Sequence, residues 1–184
     1  GGSELSRKEI DEYTKYVEIY GAKGLAWIKV KEDGEWQSPI VKFFSDEEKA
    51  KLAERTGVQP GDILFFQAGP AEIANAALGN LRVKVGERMG LIDEDQYAML
   101  WITDFPLLEY DEEDKRYVAR HHPFTSAQPG QMDELESNPG GALARAYDLV
   151  LNGYEVAGGS IRNHTRAAQE KMFAALGIDQ AEAE

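Results

Sequence analysis

Asn152-Gly153 constrains this chain more than any other dipeptide in it, because both positions accept the positive φ that a two-residue type I′ hairpin turn requires. The flanking residues must then pair as antiparallel strands, with Val150 opposite Glu155. Simple counting sets Asp148 opposite Ala157, and the period of two places Asp148, Val150, Glu155 and Ala157 on one face. Asp148 and Glu155 become diagonal neighbours with Cβ atoms roughly 7–8 Å apart, from which two carboxylates can converge on a divalent cation. Acidic residues on a hairpin are also commonly no more than a solvated face. Gly158, Gly159 and Ser160 follow, and residues this small let a ligand approach the backbone. Strict alternation turns Arg162 away from the two acids; it joins them only if the Gly158-Gly159 pair makes a bulge.

The first half reads as an α+β module. Ser6 and Glu9 form a capping box ahead of Ile10, Tyr13, Val17 and Tyr20 at helical spacing, with Gly21 as the stop. A strand from Leu25 to Lys31 turns at Asp33-Gly34. Ser45 and Glu48 form a second capping box, opening a helix that ends near Gly57. The unbroken apolar run Ile63-Leu64-Phe65-Phe66 fits a strand buried on both faces. A third helix is expected from about Pro70, with Ile73, Ala77, Leu78 and Leu81 as its buried stripe. Trp27, Trp36, Phe43 and Phe44 read as core rather than as a ligand platform. This half has no histidine, and the basic residues of the Lys84 to Arg88 region have acidic neighbours. It offers no catalytic constellation.

The acidic stretch Asp93-Glu94-Asp95-Gln96 marks a boundary, giving expected domains 1–94 and 95–184. The second half reads as antiparallel sheet: a strand-like segment from Tyr97 to Phe105, a charged hairpin tip at Asp111 to Asp114, and the hairpin at Asn152-Gly153. Pro129 to Gly141 is a loop with a short helix around Asp133 to Glu136. Thr165 caps a last helix with Met172, Phe173 and Leu176 facing inward and Gly177 ending it. His121 and His122, just before Pro123, complete the candidate site, since histidine suits acid–base chemistry and ligand contact as well as a surface position.

Composition sets limits on partners. A net charge of −13 argues against gripping nucleic acid by phosphate neutralisation. The absence of cysteine rules out disulfides and thiolate metal sites and fits the cytoplasm. No apolar run approaches a membrane span. The chain begins at Gly1 without methionine and runs out in Ala181-Glu182-Ala183-Glu184, helix-forming residues with no stop signal, so a piece of a longer protein is expected.

Three long segments carry a resemblance: W-I-T-D-F-P-L-L-E at Trp101 to Glu109, H-H-P-F-T-S at His121 to Ser126, and A-R-A-Y-D-L-V-L-N-G-Y-E-V-A-G-G-S-I-R at Ala144 to Arg162. They resemble the bacterial aspartyl-tRNA synthetases. Upstream, L-S-R-K-E-I-D-E-Y-T, Y-G-A-K-G-L-A-W-I-K-V and Q-S-P-I-V-K-F are similar to the inserted GAD domain that these enzymes share with a tRNA amidotransferase subunit. Ala157 departs from the family, which has a third glycine there. The resemblance implies a GAD-type α+β module followed by part of a class II synthetase catalytic domain, whose parent activates aspartate with ATP and magnesium and transfers it to tRNA as a cytoplasmic homodimer. It implies that His121 and Arg162 bind aspartate, that Asp148, Glu155 and His122 serve ATP, and that Asp148 and Glu155 hold Mg2+. An arginine fork suits a carboxylate and rejects the uncharged amide. Motifs that clamp ATP are not found, so this segment alone is expected to be inactive. The rival expectation is a noncatalytic GAD-containing interaction module, discriminated by the synthetase motifs of the second half.

Overall fold

The computed structural model describes residues 1–178, so the run Ala181 to Glu184 lies outside the described residues. The chain divides into two compact units, Gly1–Asp93 and Glu94–Glu184, each with its own core.

The first unit begins with α1 (Arg7–Glu18), started by the complete Ser6/Glu9 capping box and burying Ile10, Tyr13 and Val17. A cap of this kind is worth about 1 kcal/mol, and each buried aliphatic side chain about 1.5–3 kcal/mol, so burial dominates. Tyr20 falls past the helix end and stacks edge-on with Tyr16. β1 (Ala26–Val30) is the centre of a three-stranded antiparallel sheet, flanked by β2 (Trp36–Gln37) and β3 (Ile63–Phe66). α2 (Asp46–Thr56) has the second capping box and a left-handed stop at Gly57, yet buries no residue. α3 (Ala71–Arg88) packs on α1 through Ala77 and Leu81, joining Tyr13, Val17, Ala22 and Leu25 in the core.

Two expectations fail here. β3 is a half-buried edge strand, not one buried on both faces, because β1 takes the central position and leaves β3 a single neighbour. Phe43 is not core: it is 73% exposed, with the Lys42 ammonium over its ring. The basic end of α3 is spent on ion pairs, Lys84 with Glu87 and Arg88 with Glu9.

The second unit holds β4 (Met99–Ile102), the hairpin β5 (Leu108–Asp111) and β6 (Arg116–Ala119), the hairpin β7 (Ala146–Leu151) and β8 (Tyr154–Ser160), and α4 (Arg166–Leu176). β4, β7 and β8 form one antiparallel sheet in that order. The expected short helix in the connecting loop is two 3₁₀ turns, Met132–Glu134 and Pro139–Gly141. The tip between β5 and β6 is built by Asp111, whose carboxylate accepts the backbone N–H groups of Glu113 and Asp114. Thr165 caps α4, which buries Met172 and Leu176 against Leu107, Leu108 and Leu135 and stops at left-handed Gly177. The three-stranded sheet reaches this core only through Ala146 at the start of β7. Every residue of β4 is exposed, Trp101 at 60% on one face and Leu100 at 49% on the other.

Asn152 and Gly153 take φ of 49° and 87°, the turn their sequence dictates. Asn152 also fastens β4 to the hairpin: its Oδ1 accepts from Ala98 N–H at 2.8 Å and its Nδ2 donates to the Gln96 carbonyl at 2.7 Å. That second role comes from tertiary structure alone.

Candidate active site

The register of β7 and β8 decides what the hairpin can hold. Leu151 pairs with Tyr154 and Val150 with Glu155, as counted from the turn. The ladder then shifts, so that Leu149 pairs with Ala157, Asp148 with Gly158, Tyr147 with Gly159 and Ala146 with Ser160. Val156 is the extra residue of a bulge, and two expectations are corrected by it. Asp148 faces Gly158 rather than Ala157, and the irregularity lies beside Glu155 rather than at Gly158-Gly159, both of which stay in the ladder. Ala157 therefore sits with Leu149 on the face away from the acids. The departure from the family's third glycine does not touch the acidic face.

Across the bulge Asp148, Val150, Glu155 and Gly158 share one face. Gly158 is the floor under both acids: a Cβ built there would lie 2.6 Å from Asp148 Oδ1 and 2.8 Å from Glu155 Oε1. The carboxylates thus converge over a residue that has no side chain to separate them. Alternation from Gly158 also carries Ser160 and Arg162 back to this face, the outcome that simple counting allowed only through a bulge.

Arg162 is held by an isolated antiparallel bridge to Thr125, and its neighbour Ile161 accepts the Ser126 N–H at 2.8 Å. Thr125 is the one buried polar residue of the described core, and its hydroxyl lies 3.2 Å from that of Ser160. The Arg162 side chain lines an open cleft of about 580 Å³ with His122, Phe124, Asn163, His164, Thr165, Arg166 and Gln169. Arg166 is paired with Glu170, whereas Arg162 has no ion-pair partner among the described residues. A cation left unengaged at the wall of a cleft is a ready anchor for an anion.

The two histidines part company. Phe124 N–H donates to His122 Nδ1 at 3.1 Å, so in the neutral ring the proton sits on Nε2, which can donate to a ligand. The His122 ring also packs on Phe124, and it is His122 that shares the cleft with Arg162. His121 instead meets the edge of Phe105, with ring centroids 4.7 Å apart. Phe105 follows Ile102, the register partner of Asp148. The chain bends at His121 and turns after His122, so the two rings serve two places.

Phe124, Asn163 and Gln169 also line this cleft, and no sequence pattern points to them. Their spacing matches no local pattern, and only the closure of the His122 to Thr125 turn onto the start of α4 brings them together.

Comparison with known proteins gives the two halves a common setting. Residues 1–78 match the GAD domain family. The chain is 63% identical over 184 residues to the aspartate–tRNA(Asp/Asn) ligase of Nitratidesulfovibrio vulgaris, 100% of this chain and 30% of that protein. The chain is homologous to one segment of the aspartate–tRNA ligases. It is also 54% identical over 180 residues to the aspartate–tRNA ligase of Halalkalibacterium halodurans and 51% over 179 residues to that of Staphylococcus carnosus, again spanning 98% and 97% of this chain and 30% of each protein. The homology runs through both units, so the synthetase-like second half belongs to the same relatives as the GAD-type first half. The segment spans about 30% of the length of these ligases.

Among the described residues no helix is long and apolar enough to cross a membrane, and no group of three or more metal-ligating side chains gathers. Two carboxylates over a glycine are nevertheless a donor set that suits magnesium, which keeps phosphate and water ligands and takes few from protein.

Proposed function

We propose that this segment supplies one side of the aspartate- and ATP-binding site of an aspartate–tRNA ligase. The observation that carries the reading is the unpaired Arg162 guanidinium in the cleft beside His122, just past the end of the hairpin whose two strands hold the converging carboxylates of Asp148 and Glu155. Arg162 takes the side-chain carboxylate of aspartate by two parallel hydrogen bonds, with His122 beside it in the cleft and His121 contributing from the side of Phe105. Asp148 and Glu155 would hold a magnesium ion, which when bound supplies neutralisation of the ATP phosphates; His122 borders the same nucleotide.

In the reaction the α-carboxylate of aspartate attacks the α-phosphorus of ATP, pyrophosphate leaves, and a hydroxyl of the tRNA terminus then takes the acyl group from the aspartyl-adenylate with release of AMP. The substrate is its own nucleophile. The protein's contribution is position and charge, which can be worth about 7–11 kcal/mol of the barrier. With only this segment's part of the site, the chain by itself is inactive. The same reading makes the parent a cytoplasmic homodimer whose tRNA contacts lie largely outside this acidic segment.

The test is aspartate-dependent ATP–pyrophosphate exchange by the full-length parent and by the 184-residue chain. The parent exchanges, and Glu155→Ala and Arg162→Lys in it are defective. Exchange by the chain alone above a Glu155→Ala control would contradict the half-site, and a normal Arg162→Lys parent would remove Arg162 from it.

A further inference from the structure

Three consecutive carbonyls of the turn that presents His122 are held by two residues, Asn163 and Gln169, through two side-chain amides and one backbone N–H. The Pro123 carbonyl accepts from Gln169 Nε2 at 3.0 Å. The Phe124 carbonyl accepts the Asn163 N–H at 2.8 Å. The Thr125 carbonyl accepts from Asn163 Nδ2 at 3.4 Å, and Asn163 Nδ2 also donates to Gln169 Oε1 at 3.2 Å. Asn163 thereby spends both amide hydrogens, and Gln169 uses both ends of its amide.

We propose that Asn163 and Gln169 are positioning residues that set the spacing between the His122 imidazole and the Arg162 guanidinium, and through it the preference for aspartate over asparagine. This rests on the reading that Arg162 takes the substrate carboxylate. Asn163 adjoins Arg162 in sequence, so whatever fixes Asn163 fixes the strand end from which the guanidinium projects. Gln169 lies in the opening turn of α4, anchored by its own N–H to the Thr165 carbonyl at 3.2 Å and by the Thr165 hydroxyl, which accepts the Ala168 N–H. The clamp therefore ties the turn, the strand end and the helix start into one body. Asn163 Oδ1 is buried with no hydrogen-bond partner among the described residues. Its amide is thus oriented by what it donates, not by what it accepts, which is costly unless those two donations matter.

A spacing error of the order of 1 Å costs about a hundredfold in rate where geometry selects the substrate. In the full-length parent, Gln169→Leu keeps the side chain's bulk and removes both hydrogen bonds. Its aspartate KM rises about tenfold or more, its ATP KM stays within about twofold, and its discrimination against asparagine falls. Should that variant not fold, Gln169→Glu replaces it: this keeps the shape, loses the donor to Pro123 and has the same expected outcome. Leu135→Ala, a core truncation in the same unit, serves as the stability-matched reference and moves neither KM. An aspartate KM unchanged in the Gln169 variant, or both KM values rising together, overturns the inference alone. Absence of aspartate-dependent exchange in the unsubstituted parent overturns the reading beneath it, and the inference with it.

Discussion

Asp148 and Glu155 bring carboxylate oxygens over the same glycine, so that a single methyl group at Gly158 would collide with both, at 2.6 Å and 2.8 Å. Two like charges drawn together over an open backbone are a repulsive arrangement unless a cation relieves it. The glycine is needed for room and not for conformation, since Gly158 lies in the regular ladder opposite Asp148 and has no positive φ.

Gly158→Ala follows as the cleanest probe of that pair. Both obstructing atoms are the ends of side chains, so the fold absorbs the methyl by turning them away, and stability falls by no more than about 1 kcal/mol. The ATP KM of the parent rises about tenfold while the aspartate KM stays near normal. Paired KM measurements check this; an unaltered ATP KM would free Asp148 and Glu155 from the nucleotide.

Arg162→Lys keeps the charge and loses the fork. We expect a loss of about 2–4 kcal/mol in transition-state stabilisation, with weaker rejection of asparagine. A surface arginine would cost no more than about 0.5 kcal/mol, and kcat/KM for aspartate activation separates the two.

The tip between β5 and β6 has a defined acid response. Backbone hydrogen bonds from Asp114 and then Glu113 hold the Asp111 carboxyl below the usual carboxylate range, with desolvation opposing them and the Arg116 charge adding to them. Because the folded value is depressed, the stabilisation is present above the unfolded value of about 3.9 and is lost as pH falls through the folded one. Carbon-13 NMR titration of Asp111 should give a midpoint below that of an unfolded-chain aspartate, and Asp111→Asn should flatten the local response. A midpoint at or above the unfolded value contradicts the turn geometry.

Protection from hydrogen exchange should differ between the sheets of the two units. β1 is central and buries Ile28 and Val30, whereas β4 is an edge strand exposed throughout, and β8 is exposed along most of its length. Amides of β4 are expected to exchange at least about tenfold faster than those of β1, with self-association through the open sheet at high concentration. Mass-spectrometric exchange on the 184-residue chain checks this; equal protection of β1 and β4 in a monomer would sink it.

Removing the two serine caps should have unequal effects. Ser6→Ala costs about 1 kcal/mol of the first unit's stability, because α1 is part of its core. Ser45→Ala frays α2 with little global effect, because α2 buries nothing. Urea melts of the two variants, read with circular dichroism, distinguish them.

Sequence alone determined what depends on neighbours along the chain. Ser6 with Glu9 and Ser45 with Glu48 start their helices, Gly57 and Gly177 end theirs, and Asn152-Gly153 turns β7 into β8, because caps and turns are satisfied within a few residues. The pairing of Val150 with Glu155 is equally local, since the turn fixes it. Tertiary structure decided the rest. The bulge at Val156 changed Asp148's partner and restored Arg162 to the acidic face, because one unpaired residue shifts every later side chain and nothing local marks where it falls. β3 became an edge because strand order is a choice among distant segments. His122, not His121, entered the cleft with Arg162, and Asn163 and Gln169 closed on the carbonyls of Pro123, Phe124 and Thr125, through hydrogen bonds that exist only once α4 has packed beside the turn.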